Sequence, residues 1–129
     1  MRIRRIGDDA VVCPELVLGQ SFAQRFRGLM GRSEVDPDEG LYLPSSSIHM
    51  MFMRFPIDAL FLSKADAAGQ RKVVGMRQSL PAWRGIVMPV RGAEGVVEME
   101  AGAIARHGVS VDDRVVLEAR EVAGTVSDS

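Results

Sequence analysis

The sequence has little cysteine and little histidine. Among its 129 residues, Cys13 is the single cysteine, and His49 and His107 are the two histidines. A single thiol cannot close an intramolecular disulfide, so the chain does not require an oxidising compartment. The clustered cysteines and histidines of common zinc sites are missing, and so are the glycine patterns of common phosphate-binding loops. We therefore expect no metal and no cofactor.

Long hydrophobic runs are missing as well. The longest uncharged stretch, residues 40–53, contains Pro44, three serines and His49, so it is too short and too polar to cross a bilayer. Near the start of the chain, Asp8 and Asp9 stand where a signal peptide needs an apolar run. These features predict a cytoplasmic protein with no membrane partner.

Neither sign of charge dominates the chain. Sixteen basic residues face 17 acidic ones, which leaves a net charge of −1 and predicts no nucleic acid partner. Hydrophobic residues make up 47% of the chain and charged residues 26%, a composition typical of one globular domain. We assign residues 1–123 to that domain. The small, polar residues 124–129 are expected to form a mobile tail.

Most of the chain consists of short apolar runs separated by turn residues, which is the pattern of a β protein. A hairpin is predicted around residues 7–9. The dense apolar run at residues 57–62 predicts a strand that is buried on both faces. Residues 81–89 are predicted to be irregular. Further strands are predicted at residues 1–6, 10–13, 16–18, 41–43, 48–53, 72–80, 96–100 and 114–122.

The hydrophobic period changes to that of a helix after Ser21. Ser21 and the glutamine three residues later form a capping box, and the next apolar residues fall on one helical stripe. These signals predict one α-helix near residues 21–31. A shorter helix is predicted at residues 101–107, with Gly108 as its left-handed stop. The fold class is therefore mainly β, a single-domain β-sandwich or half-open barrel with the first helix lying across one edge.

Asp58 interrupts the apolar run at residues 57–62. The two-residue period of a strand puts it on the same face as Leu60 and Leu62. An unpaired carboxylate in such a place costs several kcal/mol, so we expect an arginine or several backbone N–H groups beside it. The favoured interpretation is a structural ion pair that ties helix to sheet, and the alternative is a carboxylate that lines a pocket. The candidate arginines are Arg27, Arg32 and Arg54.

His49 and Trp83 are the other side chains that suggest a site. His49 follows Ile48 and precedes three methionines and a phenylalanine, so we interpret it as a hydrogen-bonded core residue, or as a proton-transfer group if it faces a cleft. Trp83 and Arg84 lie in the segment predicted to be irregular. An aromatic ring beside a guanidinium there suits a clamp for a sugar or an anion, and equally a lid on the core.

Three segments of the chain resemble one known family. Residues 25–32 read RFRGLMGR, residues 48–61 read IHMMFMRFPIDALF, and residues 97–102 read VEMEAG. In this order they resemble the prokaryotic family catalogued as domain of unknown function 192, over residues 9–120. The resemblance implies a single compact, jelly-roll-like β domain with one helix in the first of these segments. It implies no reaction.

The resemblance also implies which polar residues recur in the family. The chain departs from the family at Asp112 and Asp113, where a Gly-Asp turn is common, and at Arg54 and Phe55, where an asparagine or lysine commonly precedes the proline. Because the second difference alters the chemistry of any pocket there, we transfer no ligand between members. The recurrent polar residues correspond to Arg27, Arg32, Arg54, Asp58 and Glu98.

The leading hypothesis is a non-enzymatic small-molecule-binding or accessory protein with a polar cleft beside the helix, for an anionic or sugar-like ligand. An alternative is a hydrolase or isomerase that uses Asp58 or His49 as general base. A third hypothesis, a regulator that acts through a DNA or protein partner, rests on the basic residues 1–32. The predicted ligand-binding residues are Arg27, Arg32, Arg54, Asp58, Trp83 and Glu98.

Overall fold

The computed structural model describes residues 1–19, 36–50 and 55–119. The helix predicted near residues 21–31 and the tail predicted at residues 124–129 lie outside these ranges. Within them, one helix is present, α1 (Ala103–His107). The ten strands in the described ranges are β1 (Arg2–Arg5), β2 (Val11–Cys13), β3 (Glu15–Leu18), β4 (Glu39–Leu43), β5 (Ile48–His49), β6 (Ile57–Leu62), β7 (Gln70–Leu80), β8 (Ile86–Val87), β9 (Gly95–Glu100) and β10 (Arg114–Glu118).

Eight of these strands form one sheet that curls back on itself. Their order is β2-β1-β10-β7-β6-β9-β4-β3, and neighbours run antiparallel except for the parallel pair β3 and β4. The Leu16 N–H donates to Met1 O at 2.7 Å, and the Met1 nitrogen donates to Leu16 O at 3.3 Å, so β3 approaches β1. The result is a half-open barrel, which confirms the predicted mainly β fold class.

The remaining two strands form a small ribbon. Ile48 of β5 pairs with Val87 of β8, and His49 pairs with Ile86. The segment at residues 81–89, which the sequence predicts to be irregular, therefore contains a short strand. Two prolines and a glycine interrupt its sequence, and the strand forms because β5, a distant segment, supplies its hydrogen-bonding partner.

The neighbouring strands β6 and β9 are buried on both sides of the sheet. One hydrophobic cluster, the inner core, receives a side chain from every strand of the barrel, which is possible only on the concave side of a curled sheet. The outer core includes Ile48 and Val87 and packs the ribbon against the convex side. Strand β6 serves both clusters, because Leu60 and Leu62 point into the inner core and Ala59 and Phe61 into the outer core. This arrangement confirms that residues 57–62 form a strand covered on both faces.

The short helix α1 closes one end of the barrel. Ala103 and Ile104 are buried in the inner core. The helix ends at Gly108, whose φ of 62° is left-handed and whose N–H donates to Ala105 O, as the sequence predicts. No helix within the described ranges is long and apolar enough to span a bilayer.

Acid is expected to weaken the ion pairs that hold β1. Hydrogen bonds from Arg4 and Arg2 hold the pKa of Glu118 below its ordinary value of 4.5, and a hydrogen bond from Arg5 lowers the pKa of Asp8 to about 2. A carboxylate whose pKa is lowered by folding stabilises the protein above its ordinary pKa, and this contribution disappears as the pH falls through the folded value.

We therefore expect the urea midpoint to fall as the pH decreases from 4.5 towards 2. The fall should be smaller in the double variant Asp8→Asn, Glu118→Gln, which lacks both titrating groups. The test is a series of urea unfolding curves followed by circular dichroism. Equal pH dependence in the two proteins would show that these ion pairs contribute nothing to stability.

Candidate functional site

A cavity of about 420 Å³ opens at the end of the barrel opposite α1. The register defines the two ends: Asp58, at one end of β6, lies beside α1, whereas Leu62, at the other end, pairs with Gly95. We call this space the mouth cavity. Its size falls within the range of about 300–1,000 Å³ that is usual for ligand pockets, and the mouth of a β-barrel is a common place for one. Its apolar lining comes from Met1, Leu18, Pro44, Ala65 and Leu117.

Arg71 and Tyr42 supply the polar groups of the mouth cavity. The Arg71 Nη1 donates to the Tyr42 hydroxyl, to Ser63 O and to Glu94 Oε1, each at 3.2 Å. The guanidinium carbon lies 5.4 Å from the centre of the Tyr42 ring, within the range of a cation–π contact. The arginine side chain is 18% exposed. These contacts hold a positive group in one orientation at the wall of a mainly apolar space.

Gly95 makes room for the Tyr42 ring. A Cβ atom built at residue 95 would overlap the hydroxyl and the adjacent ring carbons of Tyr42. The ring therefore lies directly on the backbone of β9, and a glycine is required there because of this close approach.

Asp58 lies at the closed end of the barrel and is completely buried. Its Oδ1 accepts the Ser79 N–H at 2.8 Å, and its Oδ2 accepts the N–H groups of Gly102 and Ile104 at 3.1 and 2.9 Å. Among the described residues, its hydrogen-bond partners are thus backbone N–H groups, one of the two arrangements that the sequence predicts, and the candidate arginines of the ion pair lie outside the described ranges. The carboxylate thus joins β6, β7 and the start of α1.

The backbone around Asp58 is shaped to deliver these donors. The pairing of β6 with β7 shifts between Ile57 and Ala59, so β7 carries a bulge opposite Asp58. Ser79 in that bulge has a φ of 52°, and Gly102 has a φ of 99°. A general base must reach a proton of the substrate. The Asp58 carboxylate has no exposed surface and accepts three backbone N–H groups, so in this conformation it has a structural role.

Glu98 is also buried, but it lies on the other side of the sheet. It pairs with Ala59, whose side chain belongs to the outer core, whereas Asp58 pairs with Met99 of the inner core. Along β9, Val97 and Met99 thus face the inner core, whereas Val96 and Glu98 face the outer side. Asp58 and Glu98, both predicted as ligand-binding residues, therefore lie on opposite faces of the sheet.

Trp83 belongs to the outer side of the sheet as well. Its N–H donates to Met50 O at 3.0 Å, next to the ribbon, and its backbone is left-handed with a φ of 66°. The side chain is 54% exposed, and Ile86 and Met88 beside it are also exposed. Asp58 has no exposed surface, whereas the Trp83 side chain is open to solvent. The clamp that the sequence predicts at Trp83 and Arg84 remains a prediction.

The remaining predicted site residues fall in less fully described parts of the chain. Arg27, Arg32 and Arg54 lie outside the described residues. For His49 the structure describes the backbone, which pairs with Ile86 in the ribbon. Among the described residues, no group of three histidine, cysteine, aspartate or glutamate side chains is arranged to hold a metal ion.

Sequence reasoning did not single out Tyr42, Arg71 or Gly95. Tyr42 and Arg71 are 29 residues apart, and closure of the barrel brings them into contact. The one available signal was that Tyr42 is the single tyrosine of the chain. Nothing in the sequence around Arg71 distinguishes it from the 13 other arginines.

The buried Cys13 thiol is expected to react only after unfolding. The side chain is 1% exposed, its thiol donates to Asp38 O at 3.7 Å, and burial raises its pKa to about 11. At pH 8 only about one thiol in a thousand is then ionised. We expect no reaction with Ellman's reagent in native buffer and one equivalent in guanidinium chloride. Rapid labelling of the native protein would contradict this burial.

Known proteins resemble this chain over most of its length. The family model DUF192, described as an uncharacterised ACR, matches residues 4–117. A UPF0127 protein from Thermococcus sibiricus is 34% identical over 109 residues, which cover 81% of this chain and 66% of that protein. The chain thus spans slightly less than two thirds of the length of this relative.

Two solved structures have a similar fold. A protein of unknown function from Novosphingobium aromaticivorans matches with a TM-score of 0.71 and 21% identity, over 91% of this chain and 84% of the other. A protein from Sinorhizobium meliloti, described provisionally as a transcription regulator, matches with a TM-score of 0.67 and 24% identity, over 88% and 90% of the two chains. At this level of identity the likeness shows the fold alone.

Proposed function

Since the chain belongs to DUF192, a family of uncharacterised conserved proteins, we propose that it is a non-enzymatic protein that binds a small molecule in the mouth cavity. The observation that supports this proposal is the cavity itself, about 420 Å³ of mainly apolar space with one oriented arginine in its wall. A preformed apolar pocket with few convergent polar groups is the usual form of a small-molecule site.

The composition of the cavity wall favours binding over catalysis. Arg71 and Tyr42 supply its charged and hydroxyl-bearing side chains. Among the described residues, the partner of the Tyr42 hydroxyl is the Arg71 guanidinium, a cation that cannot act as the base needed to activate a nucleophile. Asp58, the carboxylate considered as a general base, lies at the other end of the barrel with no exposed surface. His49 remains a candidate base in the enzyme alternative.

The polar cleft predicted beside the helix stays a separate proposal. It consists of Arg27, Arg54 and Asp58, with His49 and Trp83 as further candidates, and of these Arg27 and Arg54 lie outside the described residues. We also propose that the protein is cytoplasmic. The free, buried thiol of Cys13 is compatible with a reducing compartment.

The regulatory alternative has a weaker basis. The description of the Sinorhizobium meliloti protein as a transcription regulator concerns that protein. The net charge of −1 on this chain provides no general attraction to DNA. We therefore favour the small-molecule site.

The single tyrosine makes the proposal directly testable. The chain has one tyrosine and one tryptophan, so 3-fluorotyrosine and 5-fluorotryptophan each give one fluorine NMR resonance, at the mouth cavity and at the ribbon respectively. A library of small molecules should contain compounds that shift the Tyr42 resonance in a saturable way and leave the Trp83 resonance unchanged. If every compound that raises the melting temperature leaves the Tyr42 resonance unchanged, the mouth cavity is not the binding site.

A further inference from the structure

We propose that the ligand of the mouth cavity is a monocarboxylate with an apolar body, whose carboxylate is bound by the Nε and Nη2 edge of Arg71. This inference rests on the proposed function and adds the chemical class of the ligand. Of the two ligand classes that the sequence suggests, anionic and sugar-like, the arrangement around Arg71 favours the anionic one.

The hydrogen bonds of Arg71 all use one end of its guanidinium group. Nη1 donates to Tyr42, Ser63 and Glu94, whereas Nε and Nη2 have no hydrogen-bond partner in the described part of the chain. A guanidinium group has five N–H donors in a planar fork, and the edge formed by Nε and Nη2 matches the two oxygens of a carboxylate. Arg71 lines the cavity, and its edge for bidentate binding makes no hydrogen bond to the described residues.

The same contacts fix the orientation of Arg71 before a ligand binds. The guanidinium group lies over the Tyr42 ring and is held by a backbone carbonyl, a hydroxyl and a carboxylate. A binding group that is already ordered loses less side-chain entropy when the ligand arrives. The geometry thus favours a directed, two-point contact over a diffuse attraction to any negative charge.

Glu94 sets the charge of the ligand. Its Oε1 lies 3.2 Å from Arg71 Nη1, so part of the positive charge is already balanced, and the glutamate side chain is 47% exposed. A dianion such as phosphate would be repelled by Glu94 more strongly than a monoanion would. A single carboxylate therefore suits the remaining charge.

The rest of the wall requires an apolar body. Leu18, Pro44, Ala65 and Leu117 face the cavity, and the Tyr42 hydroxyl, which accepts a hydrogen bond from Arg71, can offer a ligand one O–H donor. A sugar needs several hydrogen-bond partners for its hydroxyl groups, because a buried polar group without a partner loses binding energy. An aliphatic or aromatic chain needs none, so it fits this lining better.

The test compares ligands that differ only in their head group. Octanoate, octanol and octylammonium are titrated separately into protein labelled with 3-fluorotyrosine, and the Tyr42 resonance reports on the mouth cavity. We expect octanoate to bind at least tenfold more tightly than octanol, and octylammonium to bind more weakly than either. Equal affinities of octanoate and octanol would overturn the carboxylate assignment but leave the small-molecule site intact. If the Tyr42 resonance responds to none of the three compounds, the monocarboxylate proposal is wrong. The proposed small-molecule site is wrong only if no compound of the wider library shifts that resonance.

Three variants then assign the effect to Arg71. Arg71→Met should bind octanoate and octanol equally well, whereas Arg77→Met, which removes an exposed arginine from the same strand, should behave like the wild type. Glu94→Gln changes an exposed side chain, so it should fold normally, and it should bind octanoate several-fold more tightly because Arg71 regains its full charge. Discrimination that persists in Arg71→Met, or octanoate affinity that does not rise in Glu94→Gln, would contradict the proposal.

Discussion

Replacing Asp58 with alanine is expected to lower the free energy of unfolding by about 3–5 kcal/mol, because three backbone N–H groups would lose a shared acceptor that is completely buried. Such a loss is a large share of the stability of a typical domain, about 5–15 kcal/mol. Asp58→Asn keeps one carbonyl oxygen and should lose less. Guanidinium unfolding followed by circular dichroism measures both changes.

Asp66 provides the matched control for this experiment. Its carboxylate accepts the N–H groups of Ala68 and Gln70, both at 2.9 Å, but it lies in a loop where its side chain is 47% exposed. Water can replace the lost acceptor there, so Asp66→Ala should cost about 1 kcal/mol or less. If Asp58→Ala and Asp66→Ala lower the free energy of unfolding by similar amounts, then burial of Asp58 does not increase the contribution of its hydrogen bonds to stability.

Replacing Gly95 with alanine is expected to lower stability by about 1–3 kcal/mol, the usual range for overpacking a closely packed site. The added methyl group would occupy the position of the Tyr42 ring, so the ring must move away from β9. Because Arg71 lies over that ring, its guanidinium group should move too, and octanoate binding should weaken. Chemical unfolding and the 3-fluorotyrosine spectrum measure the two effects.

A double-mutant cycle separates the overlap with Tyr42 from other effects of the methyl group. In a Tyr42→Ala background the obstructing ring is gone, so the further change Gly95→Ala should cost almost nothing. If Gly95→Ala is equally destabilising in both backgrounds, then its effect comes from the backbone of β9 and not from contact with Tyr42.

Local sequence patterns were sufficient to predict several elements. The run at residues 57–62 coincides with β6, because a strand buried on both faces needs an uninterrupted apolar sequence. Gly108 was predicted to stop α1, because glycine adopts the left-handed conformation without steric cost. The hairpin between β1 and β2 was predicted from the turn residues 7–9, which are adjacent in the sequence.

The candidate site was less accessible to such reasoning. The sequence indicated that Asp58 needs partners, but the partners, Ser79, Gly102 and Ile104, are 21, 44 and 46 residues away. The sequence also grouped Asp58 with Glu98, and the sheet register separates them. Spacing along one strand defines its two faces but does not say which face of a neighbouring strand is on the same side.

The sequence by itself determined the mainly β class, the two-sided burial of β6 and the need of Asp58 for hydrogen-bond donors, because each depends on neighbouring residues and on the cost of burying charge. Only the tertiary structure decided that backbone N–H groups donate to Asp58, and that Arg71 contacts Tyr42 at the open end of the barrel. Those contacts depend on strand order and sheet curvature, which arise from pairing between distant segments. Such pairing leaves little trace in any one stretch of sequence, and here it places the candidate binding group.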